Sequence, residues 1–258
     1  MSFSTVGSKD EIPFAIVDGG KADGEMIFIK KEDKKKESVV KYKPIREIDV
    51  HDGDFELLPN EETRCLFITG PSGSGKSTFA GSYIEKYRRL YPDTDFYVFS
   101  KLDEDKAFDH LEPHRITIDE TLINDPIDLS EIPEHSIVLF DDIDTLADKK
   151  LQQAVNNIKA QILEMGRHKD IKILVTSHLA NGNERTASRI ILNEMQLLCL
   201  FPKSGSSYQN KYILKNYFGL SSKQIAHILN LDSRWVCIQK IYPQIVLSEN
   251  KAIFLSSI

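Results

Sequence analysis

Residues 70–77 read Gly70-Pro71-Ser72-Gly73-Ser74-Gly75-Lys76-Ser77 and match the pattern G-x-x-x-x-G-K-[ST] at every fixed position. An apolar, strand-like run, Cys65-Leu66-Phe67-Ile68, comes before it, and a helix-like stretch from Thr78 to Tyr91 follows. That order constrains the fold more than any other feature of the chain. Glycines let backbone N–H groups turn inward around phosphate oxygens, and the following helix points its N-terminus at the same charge. Residues 70–78, from Gly70 to Thr78, are therefore the expected nucleotide cradle. Lys76 is expected on the β- and γ-phosphates, and the Ser77 hydroxyl on Mg²⁺.

From about residue 59 the chain alternates between short apolar runs and helical patterns. Strands are expected at 64–69, 95–100, 136–140, 171–175 and 195–201, with helices at 78–91 and 151–167. Strands that are apolar throughout, alternating with helices, imply a mostly parallel α/β sheet covered on both faces. The first 58 residues read as a small β extension. Residues 1–20 lack periodic pattern and are expected to be poorly ordered, and a hairpin is expected from 25–29 and 38–43. Residues 59–205 form the expected core, and 206–258 a mixed α/β extension packed on it. In that extension, helices at 211–218 and 222–229 read as a pair lying on the core. The stretch 219–230 also has a helix-turn-helix flavour, but strands expected at 235–238, 245–247 and 252–255 follow too closely for a free-standing DNA reader.

Ile137-Val138-Leu139-Phe140-Asp141-Asp142 is the second chemical signal. A buried strand ending in two aspartates delivers Asp141 beside the phosphate loop as a Mg²⁺ ligand, direct or through water. Asp142 is then placed to orient or deprotonate the attacking water. After the next strand comes Val175-Thr176-Ser177-His178, where a polar side chain can sense the γ-phosphate. Ser177 and His178 both qualify, and Thr176 is a lesser candidate. Phosphoryl transfer also gains from a cation on the developing charge, often supplied by a neighbouring copy. Arg167 leads the candidates, followed by Arg189, with Arg185 between them in sequence.

The chain carries 33 Lys/Arg against 39 Asp/Glu, a net charge of −6, so it is not a basic nucleic-acid binder as a whole. The charge is uneven: residues 61–200 hold 16 and 24, net −8, whereas 201–258 hold 7 and 2, net +5. The basic end suits either a polyanion or the chain's own acidic part. Three widely spaced cysteines, Cys65, Cys199 and Cys237, give neither a disulfide framework nor zinc spacing and point to a reducing compartment. The composition has no membrane-spanning run and no signal-peptide pattern.

Taken in order, the phosphate loop, I-V-L-F-D-D, M-G-R-H before a strand ending T-S-H, and S-R-I-I-L-N before a further strand resemble a known family. They are similar to the genome-packaging ATPases of nucleocytoplasmic large DNA viruses, within the FtsK/HerA superfamily of DNA translocases. The resemblance covers roughly residues 60–250. It implies a P-loop NTPase of the additional-strand type, with ATP and Mg²⁺ as cofactors and a ring of identical subunits, pentameric or hexameric. It further implies double-stranded DNA in the channel, capsid or inner-membrane proteins of the virion as further partners, and a place in the virion and the host cytoplasm. Lys101, Lys149, Lys150 and the basic C-terminal segment are the candidate grips on DNA phosphates. Superfamily members often have glutamine where Ser177-His178 stands, which leaves the sensor open. The competing readings are a small-molecule kinase and a nucleotide-gated scaffold without turnover. Residues 101–135 hold a single arginine, Arg115, among many acids, which is poor for a nucleotide acceptor, and intact Lys76, Ser77, Asp141 and Asp142 argue against a scaffold.

Overall fold

A computed structural model describes residues 1–30, 45–178 and 187–257, with only the backbone of 187–189. The chain opens with strands β1 (Ser2–Ser4), β2 (Ile12–Asp18), β3 (Met26–Lys30), β4 (Glu47–Asp49) and β5 (Asp54–Leu57). Next come β6 (Cys65–Thr69), helix α1 (Lys76–Leu90), β7 (Phe96–Ser100), β8 (His114–Thr117), α2 (Thr121–Asn124) and β9 (Ile137–Phe140). Helix α3 (Lys149–Met165), β10 (Lys172–Ser177), α4 (Ala187–Glu194) and β11 (Leu197–Leu200) complete the strand–helix alternation. The chain ends with α5 (Ser207–Phe218), α6 (Ser222–Leu229), β12 (Val236–Gln239), β13 (Ile245–Ser248) and β14 (Lys251–Phe254).

Ten strands form one sheet in the order β4-β14-β13-β12-β11-β6-β10-β9-β7-β8. From β11 to β8 every pairing is parallel, whereas β12, β13, β14 and β4 add on antiparallel. The parallel half carries strands buried on both faces, as its continuous apolar runs require. The C-terminal strands therefore extend the same sheet edgewise, and α5 and α6 lie on it. Ile213, Leu214, Phe218, Ile225 and Ile228 are buried in one cluster with α3, and Gly219 closes α5 in the left-handed region at φ 67°.

Residues alternate between the two faces of the sheet with a period of two. On β9, Val138 and Phe140 face the α2–α6 layer, while Ile137 and Leu139 face α1. The α1 face is completed by a second sheet of four antiparallel strands in the order β1-β3-β2-β5. Phe3, Phe14 and Phe55 of this small sheet share a core with Phe254 and Leu247, and the Phe3 and Phe254 rings lie 4.4 Å apart. Residues 1–20, expected to be poorly ordered, instead supply β1 and β2. Their alternation is short and broken by Pro13, where the β2–β3 register slips. The 25–29 strand pairs with β1 and β2. Its expected hairpin partner at 38–43 lies outside the described residues.

Candidate active site

Strand β6 is buried over its whole length and ends at the phosphate loop. The Gly70 N–H donates to the Ser177 carbonyl oxygen at 3.1 Å, which ties the loop to the end of β10. A Cβ on Gly70 would lie 2.7 Å from Ser74 Oγ and 2.8 Å from the Phe201 ring, so only glycine fits. Gly73 and Gly75 hold φ of 73° and 107°, a region that costs other residues free energy. Gly75 caps α1, whose first turn contains no acidic residue. The free N–H groups of that turn make it an anion site. Ser74 Oγ is buried without a hydrogen-bond partner, a donor suited to a phosphate oxygen. Pro71 and Ser77 are half-buried, while Ser72 and Thr78 are exposed on the rim.

Lys76 is 5 % exposed, and its Nζ donates to the Pro71 carbonyl at 3.4 Å and lies 3.5 Å from Asp142 Oδ1. Both aspartates after β9 therefore open onto the loop. Asp141 is buried, and burial pushes its carboxyl up to about 6 against the lowering effect of the Thr176 hydrogen bond. A cation beside it would reverse that shift. The oxygen donors Asp141 and Ser77 suit a hard ion such as Mg²⁺, which prefers carboxylate, hydroxyl and water oxygens.

Thr176, on the fully buried β10, organises the pair. Its hydroxyl donates to Asp141 Oδ1 at 2.8 Å, has Asp142 Oδ1 at 3.2 Å, and accepts the Asp142 N–H at 2.8 Å. Asp142 sits at φ 46°, in the left-handed region, where an aspartate is tolerated when its backbone is held. The sequence ranked Thr176 below its two neighbours because the side chain of an interior strand residue reads as core.

Asp144 was not anticipated from the sequence at all. Its Oδ2 accepts from Ser177 Oγ and from the His178 N–H, each at 2.9 Å. His178 then stands between two carboxylates, with Nε2 3.4 Å from Asp142 Oδ2 and Nδ1 3.8 Å from Asp144 Oδ1. The third acid of Asp141-Asp142-Ile143-Asp144 was the available signal, visible only once the following 3-10 turn brings it back to β10. The arrangement can hold a hard cation beside a phosphate chain, hold a water on a carboxylate, and keep an imidazole next to both.

Among the described residues, Arg167 does not join this cluster within the chain. Arg167 is exposed in the turn Gly166–Lys169, just before β10 begins. Strands β6 and β10 run parallel, with Ile173 opposite Cys65 and Ser177 opposite Thr69. Arg167 therefore sits at the end of the sheet away from the loop, roughly 15 Å or more along the strand. Arg189 belongs to the first turn of α4 by its backbone, and Arg185 lies outside the described residues. Lys101, after β7, and Lys149 and Lys150, at the start of α3, are exposed on the same rim as the loop. Of the C-terminal basic residues, Lys203 pairs with Asp232 and Lys251 with Glu47 and Asp49, while Lys240 Nζ donates to the carbonyls of Leu192 and Asn193. Part of the basic excess thus serves the chain's own fold. All three cysteines are buried and free, and burial pushes the Cys237 thiol up to about 12. No described helix is long and apolar enough to cross a membrane.

Residues 66–190 match the model of the ATPase family associated with various cellular activities (AAA). Protein V3 of Sputnik virophage, itself uncharacterized, is 42% identical over 247 residues, covering 95% of this chain and 96% of V3. Among solved structures, the pCW3 conjugation coupling protein TcpA superposes with a TM-score of 0.51 at 12% identity, covering 95% of this chain and 78% of TcpA. The genome packaging NTPase B204 from Sulfolobus turreted icosahedral virus 2 superposes with a TM-score of 0.48 at 11% identity, covering 73% of this chain and 96% of B204.

Proposed function

Because the chain belongs to the same family as protein V3 of Sputnik virophage and matches the AAA ATPase model over residues 66–190, we propose that it is a P-loop ATPase of FtsK/HerA type that hydrolyses ATP with Mg²⁺ to move double-stranded DNA, in packaging of a viral genome. The observation that carries the hydrolytic part is the Thr176 clamp, which holds Asp141 and Asp142 against Lys76 at the mouth of the phosphate loop. In this reading the loop N–H groups, Ser74 Oγ and Lys76 Nζ bind the phosphate chain, and Lys76 leaves Asp142 to do so. Ser77 and Asp141 would hold the metal, which would supply positive charge to neutralise the phosphate chain. Asp142, freed of Lys76, takes the proton of the water that attacks the γ-phosphorus. ADP and inorganic phosphate leave, and the proton passes to solvent by way of Asp142. His178, bracketed by Asp142 and Asp144, orients that carboxylate, and Ser177 holds Asp144 in place.

Translocation is supported by the three exposed rim lysines, Lys101, Lys149 and Lys150, on the edge that carries the fuel site, and the viral setting by the virophage relative. Phosphate contacts of this kind grip DNA without reading its sequence. The test is ATP turnover with and without long double-stranded DNA at low salt, on assembled chains. Stimulation that fades as salt rises is expected, whereas robust turnover indifferent to DNA would overturn the motor and favour a kinase. Arg167 or Arg189 would complete the site from an adjacent copy. Mixing inactive Lys76→Ala and Arg167→Ala chains should partly restore turnover, and no recovery in a confirmed mixed oligomer rules out Arg167 acting across copies.

A further inference from the structure

A cavity of about 200 Å³ opens on the flank of the phosphate loop away from the aspartates. Gly75 and Thr78 form its inner end, and it follows α1 outward past Ser82 to Lys86. These three helical positions are spaced by four and share one face, about 12 Å in length at 1.5 Å per residue. Phe79 and Trp235 meet in one wall, ring centroids 5.1 Å apart at 61°. Arg234 is exposed, and a Cβ on Gly75 would lie 3.4 Å from its Nη2, so the guanidinium lies over the loop. Its backbone is fixed by the Arg234 N–H, which donates to Glu249 Oε2 at 2.6 Å. The small N-terminal sheet supplies the far wall through β5, where Glu56 pairs with Lys86 at 3.0 Å.

We infer that this cavity is the seat of the purine base and ribose of the bound nucleotide, with Trp235 and Arg234 as its stacking platform. The inference rests on the ATPase reading above and adds the part of the ligand that reading left unplaced. A phosphate chain seated on the loop must continue past Thr78, and this cavity begins there. An indole face and a guanidinium plane are both sequence-tolerant partners for a base, and stacking of this type contributes about 1–3 kcal/mol per base. That corresponds to about 5- to 150-fold in affinity. Acidic side chains at the mouth, Asp54 and Glu56 among them, accept from exocyclic amino groups.

Trp235 is the single tryptophan of the chain, so its fluorescence reports this cavity alone. The full-length protein should be titrated with ADP and, separately, with tripolyphosphate, reading emission and the affinity of each. ADP should change the emission, whereas tripolyphosphate should compete with ADP but leave the emission unmoved. Arg234→Ala, a surface change, should weaken ADP by about 5- to 50-fold and weaken tripolyphosphate by less, since only ADP loses the stacked plane as well as the charge. Trp235→Phe should weaken ADP less than Trp235→Ala does. ADP that competes with tripolyphosphate yet leaves the emission silent and ignores Arg234→Ala overturns the base seat alone. If neither ligand binds, the ATPase reading falls and this inference with it.

Discussion

On one flank of the phosphate loop, three acids, a threonine, a serine and a histidine interlock through hydrogen bonds of 2.8–3.2 Å. On the other, an aromatic pair, an exposed arginine and a strand of the small sheet enclose open space. On the proposed reading, the first flank holds the groups that act on the metal and the attacking water, fixed in place before reaction. On the inference of a base seat, the second would bind substrate and transition state equally well. The difference predicts opposite kinetic signatures. Asp142→Asn should lower kcat by about 10²–10⁴ with KM little changed, as expected for loss of a general base. A rise in KM at constant kcat would move Asp142 to the binding side.

A smaller effect should appear in stability. The Asp141 carboxyl is pushed up from 3.8 to about 6 in the folded chain, mainly by burial. Between those values the folded chain holds a proton that the unfolded chain has released, so stability falls as pH rises through that window. Asp141→Asn removes the burial cost. Without Mg²⁺ or nucleotide, the variant should gain on the order of 1–3 kcal/mol at pH 8, shrinking toward zero below pH 4, while turnover is lost. Thermal melts at both values check this, and an equal gain at each pH would mean that charge burial is not the cause. The smallest effect belongs to the other flank. Phe79→Ala should raise KM for ATP several-fold, roughly 1 kcal/mol, with kcat within twofold. A fall in kcat alone would erase the distinction between the flanks.

The two flanks also differ in how much of them could be read from the chain. The loop, the aspartate pair and the strand ending at Ser177-His178 are local patterns, and the structure brings all of them to one rim. Local pattern could not show that Thr176 reaches Asp142 across 34 positions, or that Asp144 folds back to Ser177 across 33. It could not show that Trp235 meets Phe79, because that contact depends on antiparallel strands added to the far side of β11. The parallel half of the sheet was legible from its alternation of apolar runs and helices. The small sheet was less so, since its strands are short and burial along β1 and β2 does not alternate cleanly. Arg167, prominent in the sequence for its G-R-H setting, proved to lie at the opposite end of β10.

The ten-stranded sheet has two open ends, and both are closed by brief strands. The β4 end spans three residues, and its Glu47 and Asp49 side chains are gripped by Lys251 at 2.6 and 2.8 Å. The β8 end spans four residues and places His114 and Arg115 at its start. Short, charged borders discourage a neighbouring chain from adding its own backbone ladder. At these two borders of the large sheet, backbone pairing with another copy is therefore disfavoured, and any contact made there would fall to side chains, which can part and rejoin without unravelling either fold.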